Sequence, residues 1–377
     1  MSVIIKIGIL FLNIIYSVLK LLPVSKKIVY ISRQSNTVPI DFELIKHKMG
    51  NMLPEYTNIV LAQTIDPGII AKIRYFFHMF RQMYHVATAR LVILDTYCIT
   101  VSILKQRESL MVIQIWHALG ALKKFGYSIL DKGEGSSSKI ARLMKMHNNY
   151  SYVFTSGEKC RIYFSEAFHQ DIETVKVFPL PRLDLLLDKE RQEKIKNKII
   201  KKYPFLHKDG KKVVLYAPTF RKDEHAFISG AFRLFKIIDF ERYNLIYMPH
   251  PLTDRVDNLD KRIIYDISFT TEDMFCVSDC LVTDYSAIIF EAMLLKKRII
   301  LYAFDFDSYT QKRDFYLDYM KVFSGCISQT ADQVVKLLEN GDDTEMDWKS
   351  QLNDFIAAPQ ISYTEDICDF LIDVGNL

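Results

Sequence analysis

The sequence lacks the compact signatures of several common chemistries. It contains no HExxH segment and no paired CxxC segments, so neither usual zinc pattern is present. Its six cysteines, Cys98, Cys160, Cys276, Cys280, Cys326 and Cys368, are scattered through apolar stretches. That usage predicts reduced core thiols in a cytoplasmic protein and not a disulfide framework. No block repeats at a fixed period. Acidic residues are absent from the first 40 positions, which carry Lys6, Lys20, Lys26, Lys27 and Arg33. They are absent again from Pro67 to Leu94, which holds Lys72, Arg74, Arg81 and Arg90. Acid-free basic segments suit an anionic membrane surface or a polyanionic substrate. The formal net charge of +4 over 377 residues is too small to imply a nucleic-acid partner, and none is expected.

What is present points to packed cores. The 25 Phe and 21 Tyr argue against disorder, and the length suits two domains. Met1 to Leu22 is strongly apolar. Its polar residues Ser2, Lys6, Asn13, Ser17 and Lys20 share one narrow helical stripe. No small-residue cleavage site follows, which disfavours a signal peptide. A helix lying in the membrane interface is the expectation, ahead of a spanning helix or one docked on the protein.

Strands are expected at Lys27 to Ser32, Thr57 to Gln63, Leu91 to Asp95, Met111 to Trp116, Tyr152 to Ser156 and Val175 to Phe178. A second series is expected at Lys212 to Tyr216, Tyr243 to Tyr247, Arg262 to Tyr265, Leu281 to Thr283 and Arg298 to Tyr302. Helical patterns alternate with both series, so two parallel-sheet α/β domains follow. The charged helix Lys189 to Lys202 reads as the connector. The expected division is 1–22 for the membrane helix, 23–188 for the first α/β domain and 189–377 for the second.

The chain is organised around Cys280 to Glu291, CLVTDYSAIIFE, where a short buried strand turns into a helix at Asp284-Tyr285-Ser286. Ligands of open α/β sheets bind outside the carboxyl ends of strands. A helix start offers backbone N–H groups to a phosphate, with the Ser286 hydroxyl as a further donor. The competing reading is a helix cap without a ligand. A second candidate is His117 at the end of the MVIQIW strand, followed by a small-residue loop with Lys123 and Lys124. A histidine there can act as a base near neutral pH, and lysines can neutralise phosphate.

Six ordered motifs, QIWHALGALKKFGY, PLPRLD, LYAPTFR, MPHP, VTDYSAIIFEAMLLKKRIILYAFD and RDFYLDY, resemble one family at every step. It is the CDP-glycerol glycerophosphotransferases of teichoic acid synthesis, with their CDP-ribitol relatives. The resemblance covers roughly Leu110 to Asp318. It implies a GT-B type fold, an α/β pair of Rossmann-like domains with the active site between them. It implies transfer of a polyol phosphate from CDP-glycerol to a hydroxyl of an undecaprenyl-linked acceptor, releasing CMP. CDP-ribitol is the alternative donor, and a capsule polymer the alternative product. His117 and His250 then fall on the family's motif histidines. Thr219, Arg221, Asp284, Ser286, Glu291 and Arg313 fall on its donor-phosphate side. Lys123, Lys124 and Arg182 are expected on the acceptor side. No cofactor is expected. The enzyme would sit peripherally on the cytoplasmic face of the cell membrane, and the short chain leans toward a primase.

This sequence departs from the family pattern at four places. Ala118-Leu119-Gly120 stands for Gly-Thr-Pro, Ala287 for a serine, Met248 for a basic residue and Asp314 for a glycine. Two rival readings stay open at this level. One is a nucleotide-sugar glycosyltransferase of the same architecture. The other is an inactive scaffold in a polymer-synthesis complex.

Overall fold

A computed structural model describes residues 2–221, 224–250, 253, 259–340 and 348–377. The chain divides into two compact units. The first comprises the chain up to Gly120, Phe125–Asp184 and Asp354–Leu377; the second comprises Ala121–Lys124 and Leu185–Asn353.

The first unit holds strands β1 (Lys27–Ser32), β2 (Thr57–Ala62), β3 (Leu91–Leu94), β4 (Met111–Gln114), β5 (Tyr152–Thr155) and β6 (Val175–Val177). They form one sheet in the order β2-β1-β3-β4-β5-β6, and every pair is parallel. All residues of β1 and β3 are buried, as expected of apolar runs covered by helices on both faces. The chain runs from β1 to one side and then returns to the other. The switch point therefore lies between β1 and β3.

The second unit holds β7 (Lys212–Tyr216), β8 (Tyr243–Tyr247), β9 (Cys280–Thr283), β10 (Arg298–Tyr302) and β11 (Ile327–Ser328). Their order is β11-β10-β9-β7-β8, so this switch point lies between β7 and β9. The expected strand at Arg262 to Tyr265 is reduced to one bridge, Ile246 to Ile264.

Helix α1 (Ser2–Leu19) belongs to the first unit and meets it through Asn13, Tyr16 and the following Lys20, while Lys6 and Ser17 of the polar stripe are exposed. The Asn13 side chain donates to the Ile103 carbonyl at 3.1 Å and accepts from the Lys105 amide at 2.9 Å. Tyr16 is fully buried and donates to Gln106, and Lys20 donates to the Lys105 carbonyl. The apolar side, with Ile4, Ile7, Leu10, Phe11 and Ile14, is left exposed. That is the reverse of an ordinary docked helix. Helix α2 (Ile40–Met52) and helix α3 (Ile69–Ala87) follow β1 and β2.

The two units do not divide at the expected 188/189. The chain leaves the first unit at Ala121–Lys124, leaves it again after Asp184, and comes back at Asp354. The last helix, Tyr363–Gly375, buries Tyr363, Ile367, Cys368 and Leu371 in the first unit and packs on α2. Asp184, the last residue of PLPRLD, caps it. Its carboxylate accepts from the amides of Tyr363 (2.9 Å) and Thr364 (2.8 Å) and from the Thr364 hydroxyl (2.5 Å). A carboxylate at a helix start satisfies donors that have no partner within the helix. All six cysteines are free thiols.

Candidate active site

In the first unit the chemistry gathers where β1, β3 and β4 end. The His117 ring meets the Asp95 carbonyl through Nδ1 at 2.9 Å. A carbonyl only accepts, so Nδ1 carries the proton and Nε2 keeps its lone pair. Burial pushes the imidazole down to about 4. The Asp95 carbonyl and Asp41 oppose that, and Arg182 adds to it. His117 is therefore neutral at physiological pH, with Nε2 able to take a proton. The turn that aims it is costly. Trp116 sits at φ 61°, a left-handed conformation uncommon for a bulky residue. Such backbone costs about 1–3 kcal/mol and persists where surroundings hold it. Here Gln114 accepts from the Trp116 amide at 3.0 Å, and the indole stacks on Phe125 at 4.7 Å.

Asp95 is the residue the sequence reading missed. Its Oδ2 accepts from the Ser32 hydroxyl at 2.7 Å across the switch point. Its Oδ1 is buried with no partner. Burial, with some help from Asp41, pushes the carboxyl up to about 6, against the hydrogen bonds from Ser32 and Thr96. The available signal was an acid closing the apolar run LVIL at a strand end. Arg182, expected to meet the acceptor, grips Asp41 through Nε (2.9 Å) and Nη2, while its amide donates to Asp41 Oδ1 at 2.9 Å. It ties the start of its own helix to α2 through Asp41.

In the second unit the loops after β7, β9 and β10 are locked by an ion cluster. Arg221 donates through Nη1 to Asp284 at 2.5 Å. Through Nε and Nη2 it donates to Asp305 at 2.8 and 2.9 Å. Asp284 Oδ1 also accepts from the amides of Thr219 (2.9 Å) and Tyr285 (2.6 Å), and Tyr285 donates its hydroxyl to Asp305 at 3.0 Å. The guanidinium lies among the rings of Phe304, Tyr285 and Tyr309. Burial alone would lower the Arg221 pKa, but Asp284 and Asp305 more than offset it and hold the residue protonated. Arg221 and Asp284, expected on the donor-phosphate side, bind each other and hold these loops together. The Thr219 hydroxyl is buried without a partner at this switch point. Ser286 Oγ accepts from the Ile288 amide at 3.4 Å just ahead of the helix Ile288–Leu294, in which Glu291 is buried.

His250 follows β8 at an exposed position, its ring 5.7 Å from that of Phe220. Burial of part of the ring, and then Lys123, push its pKa down. Pro251 lies outside the described residues. Lys123 and Lys124 were expected beside His117 on the acceptor side, but their segment packs in the second unit. Lys123 bridges to Phe315, and the Lys124 amide donates to the Asp314 carbonyl at 2.9 Å. Gly120, at φ 61°, makes the turn from which the chain departs. Arg313 lies in extended backbone just before Asp314, on the same unit as His250. Among the described residues no three His, Cys, Asp or Glu side chains gather as a metal-binding group.

The model of the family described as CDP-Glycerol:Poly(glycerophosphate) glycerophosphotransferase matches residues 14–358. The chain belongs to this family. Among curated relatives, the teichoic acid poly(ribitol-phosphate) polymerase of Bacillus spizizenii is 33% identical over 338 residues, 86% of this chain. The chain spans about half of that polymerase, 52%. The teichoic acid ribitol-phosphate primase of the same organism is 32% identical over 87% of this chain and 86% of its own length. The teichoic acid glycerol-phosphate primase of Bacillus subtilis is 30% identical over 66% of this chain and 64% of its own length. A solved structure of the wall teichoic acid polymerase TagF aligns with a TM-score of 0.72 at 21% identity. It covers 100% of this chain and 98% of that one. At that identity the likeness is one of fold, and it agrees with the GT-B type α/β architecture. In this glycerophosphotransferase-family chain the most conspicuous motifs, PTFR and TDYS, build the ion cluster. The unpaired Asp95 lies outside all six.

Proposed function

We propose that the protein transfers a polyol phosphate from a CDP-activated polyol to a hydroxyl of a lipid-linked acceptor in teichoic acid synthesis. The observation that carries this is His117. It is a neutral imidazole whose tautomer is set by the Asp95 carbonyl, in a chain of this family. The acceptor hydroxyl gives its proton to His117 Nε2 as its oxygen bonds to the polyol-bearing phosphorus. The bond from that phosphorus to the bridging oxygen breaks, and CMP leaves with the electron pair. Charge grows on the phosphoryl oxygens and on CMP, and positioned cations and donors stabilise it. In the second unit Lys123 and Arg313 supply the cations, and the neutral His250 ring and the Thr219 and Ser286 hydroxyls supply uncharged donors. Arg221 and Asp284 keep those loops in place.

CDP-glycerol was the donor expected from motifs alone. The greater coverage by ribitol-phosphate relatives favours CDP-ribitol. The primase, matched over nearly its full length, favours addition of a first unit over polymerisation.

Membrane attachment belongs to the same reading. On α1, Ile4 is 74% exposed and Ile7 62% exposed; on α3, Ile69 is 78% and Phe77 67% exposed. The two helices pack together in the first unit, so these side chains form one apolar platform. The helix is long enough to span, but bonds from Asn13 to Lys20 tie its C-terminal half to the protein. A helix tied to the protein through Asn13, Tyr16 and Lys20, with its apolar side exposed, suits the interface of a bilayer. Release of CMP from CDP-ribitol or CDP-glycerol, dependent on a lipid-linked acceptor and lost in His117→Ala, is the test. Release from UDP-sugars instead would establish the glycosyltransferase reading.

A further inference from the structure

Not all of the polar stripe on α1 meets protein. Lys6 and Ser17 are exposed and, with Asn13, line an open groove of about 690 Å³ beside the helix. Leu10, Ile14 and Val18 of α1 line it as well, and Ile103, Lys105 and Lys145 join them from later in the first unit. Two of the three lysines are fixed through their backbones. The Lys105 amide donates to Asn13 Oδ1 at 2.9 Å, and its carbonyl accepts from the Lys20 ammonium at 2.8 Å. Lys145 follows the short helix Ser138–Leu143 in the left-handed region, at φ 47°. Glycine is usual at such a helix end, and a side chain there is unfavourable on backbone grounds alone. The Met146 amide closes the turn on the Ala141 carbonyl at 2.9 Å. All three lysines are exposed. Among the described residues no Asp or Glu lines the groove or forms an ion pair with any of them.

Like charges gathered on one surface repel until an anion arrives. The kind of anion follows from the groove's other residues. A free phosphate needs no apolar surface, whereas Leu10, Ile14, Val18 and Ile103 supply one. Lysine stems lie readily along apolar surface with the charge at its rim. Leu10, Ile14 and Val18 are also exposed residues of α1, so the groove opens onto the apolar platform. An occupant with a negative head and an apolar tail matches both halves. We propose that the groove holds one anionic phospholipid, with its phosphate at Lys6, Lys105 and Lys145 and the start of its acyl chains over Leu10, Ile14 and Val18. The volume suits a headgroup and the first chain carbons, since ligand sites run to about 300–1,000 Å³. This rests on the membrane reading above and adds to it a lipid class and a defined seat. The lining shares no residue with the Asp95 and His117 site, which favours a lipid of the bilayer over the lipid of the acceptor.

Native mass spectrometry of the full chain in neutral detergent, titrated with phosphatidylglycerol or phosphatidylcholine, tests the proposal without any turnover. One phosphatidylglycerol is retained per chain, in preference to phosphatidylcholine. Lys105→Gln and Lys145→Gln each weaken retention about 5-fold, the value of one lysine at an anionic surface. Val18→Trp fills the groove, changes no charge and weakens retention too. Lys72→Gln, which removes an exposed cation of α3 outside the groove, leaves it unchanged. All four positions are exposed, so melting stays at the wild-type value. Equal loss in Lys72→Gln and Lys105→Gln overturns the site in favour of diffuse attraction. So does full retention in Val18→Trp, or equal retention of the two lipids. Displacement of phosphatidylglycerol by an equal amount of farnesyl phosphate overturns it in favour of the acceptor lipid. Vesicle flotation separates the groove from the membrane reading. A chain that floats but retains no phosphatidylglycerol loses the groove alone, and one that retains the lipid but does not float loses the membrane reading alone.

Discussion

The two sheets have equivalent crossovers, and the chain uses them in opposite ways. At the β7/β9 switch, Arg221 ties two carboxylates together, and each charge meets its complement. At the β1/β3 switch, Asp95 leaves one oxygen unpaired and His117 leaves Nε2 open. The first arrangement is rigid and holds loops. The second is poised, because its groups gain when a proton or a ligand arrives. Buried groups left unmatched in a native structure call for a functional reason.

The comparison sharpens or breaks in four places. His117→Ala removes the proton acceptor and lowers turnover about 10²–10⁴-fold, with CDP-polyol binding kept. Single-turnover CMP release beside donor titration reads both. Arg221→Met leaves two buried carboxylates facing one another and destabilises the fold by about 3–5 kcal/mol. Urea unfolding measures that, and turnover falls with it because the loops move. If Arg221 instead gripped donor phosphate, donor KM would rise with stability unchanged.

The pH dependence separates the units next. His117, His147 and His85 have folded pKa values below the ordinary 6.5, at about 4, 3 and 4, through burial first. A lowered histidine favours folding while it is neutral, above 6.5, and loses that contribution as pH falls toward the folded value. Each such group adds up to about 1.4 kcal/mol per pH unit to the slope. Stability measured from pH 6.5 to 4 therefore falls, and His147→Gln flattens the slope. Asp95 works in the other direction. Its raised carboxyl favours the fold below about 3.8 and loses that contribution as pH climbs through about 6. The smallest effect on stability is at the platform. Ile7→Lys changes unfolding by less than about 0.5 kcal/mol, yet it lowers flotation with anionic vesicles.

Much of the fold was legible because buried parallel strands leave apolar, β-branched runs such as KIVYIS and LVIL. The polar stripe of the first helix was legible as a stripe. Its direction was not, because which face meets protein depends on Ile103 and Lys105, far along the chain. The return of Tyr363–Gly375 was hidden for a similar reason: Ser362 caps the helix locally, but the carboxylate that meets its first amides is Asp184, about 180 residues earlier. Motif reading singled out His117, Arg221 and Asp284, but not the ion cluster that Arg221 forms with Asp284 and Asp305. A sequence shows that an arginine and two aspartates are present, not that they meet. Asp95 was missed because a lone acid after a strand is a common turn residue. Only the sheet order puts it at a switch point.

The most direct test is CMP release by the full chain in lipid, given CDP-ribitol or CDP-glycerol and a lipid-linked acceptor, for wild type and His117→Ala. The account predicts acceptor-dependent CMP from a CDP-polyol, faster with CDP-ribitol, and its near loss in the variant. Equal release by wild type and His117→Ala, or none from either CDP-polyol, would contradict it.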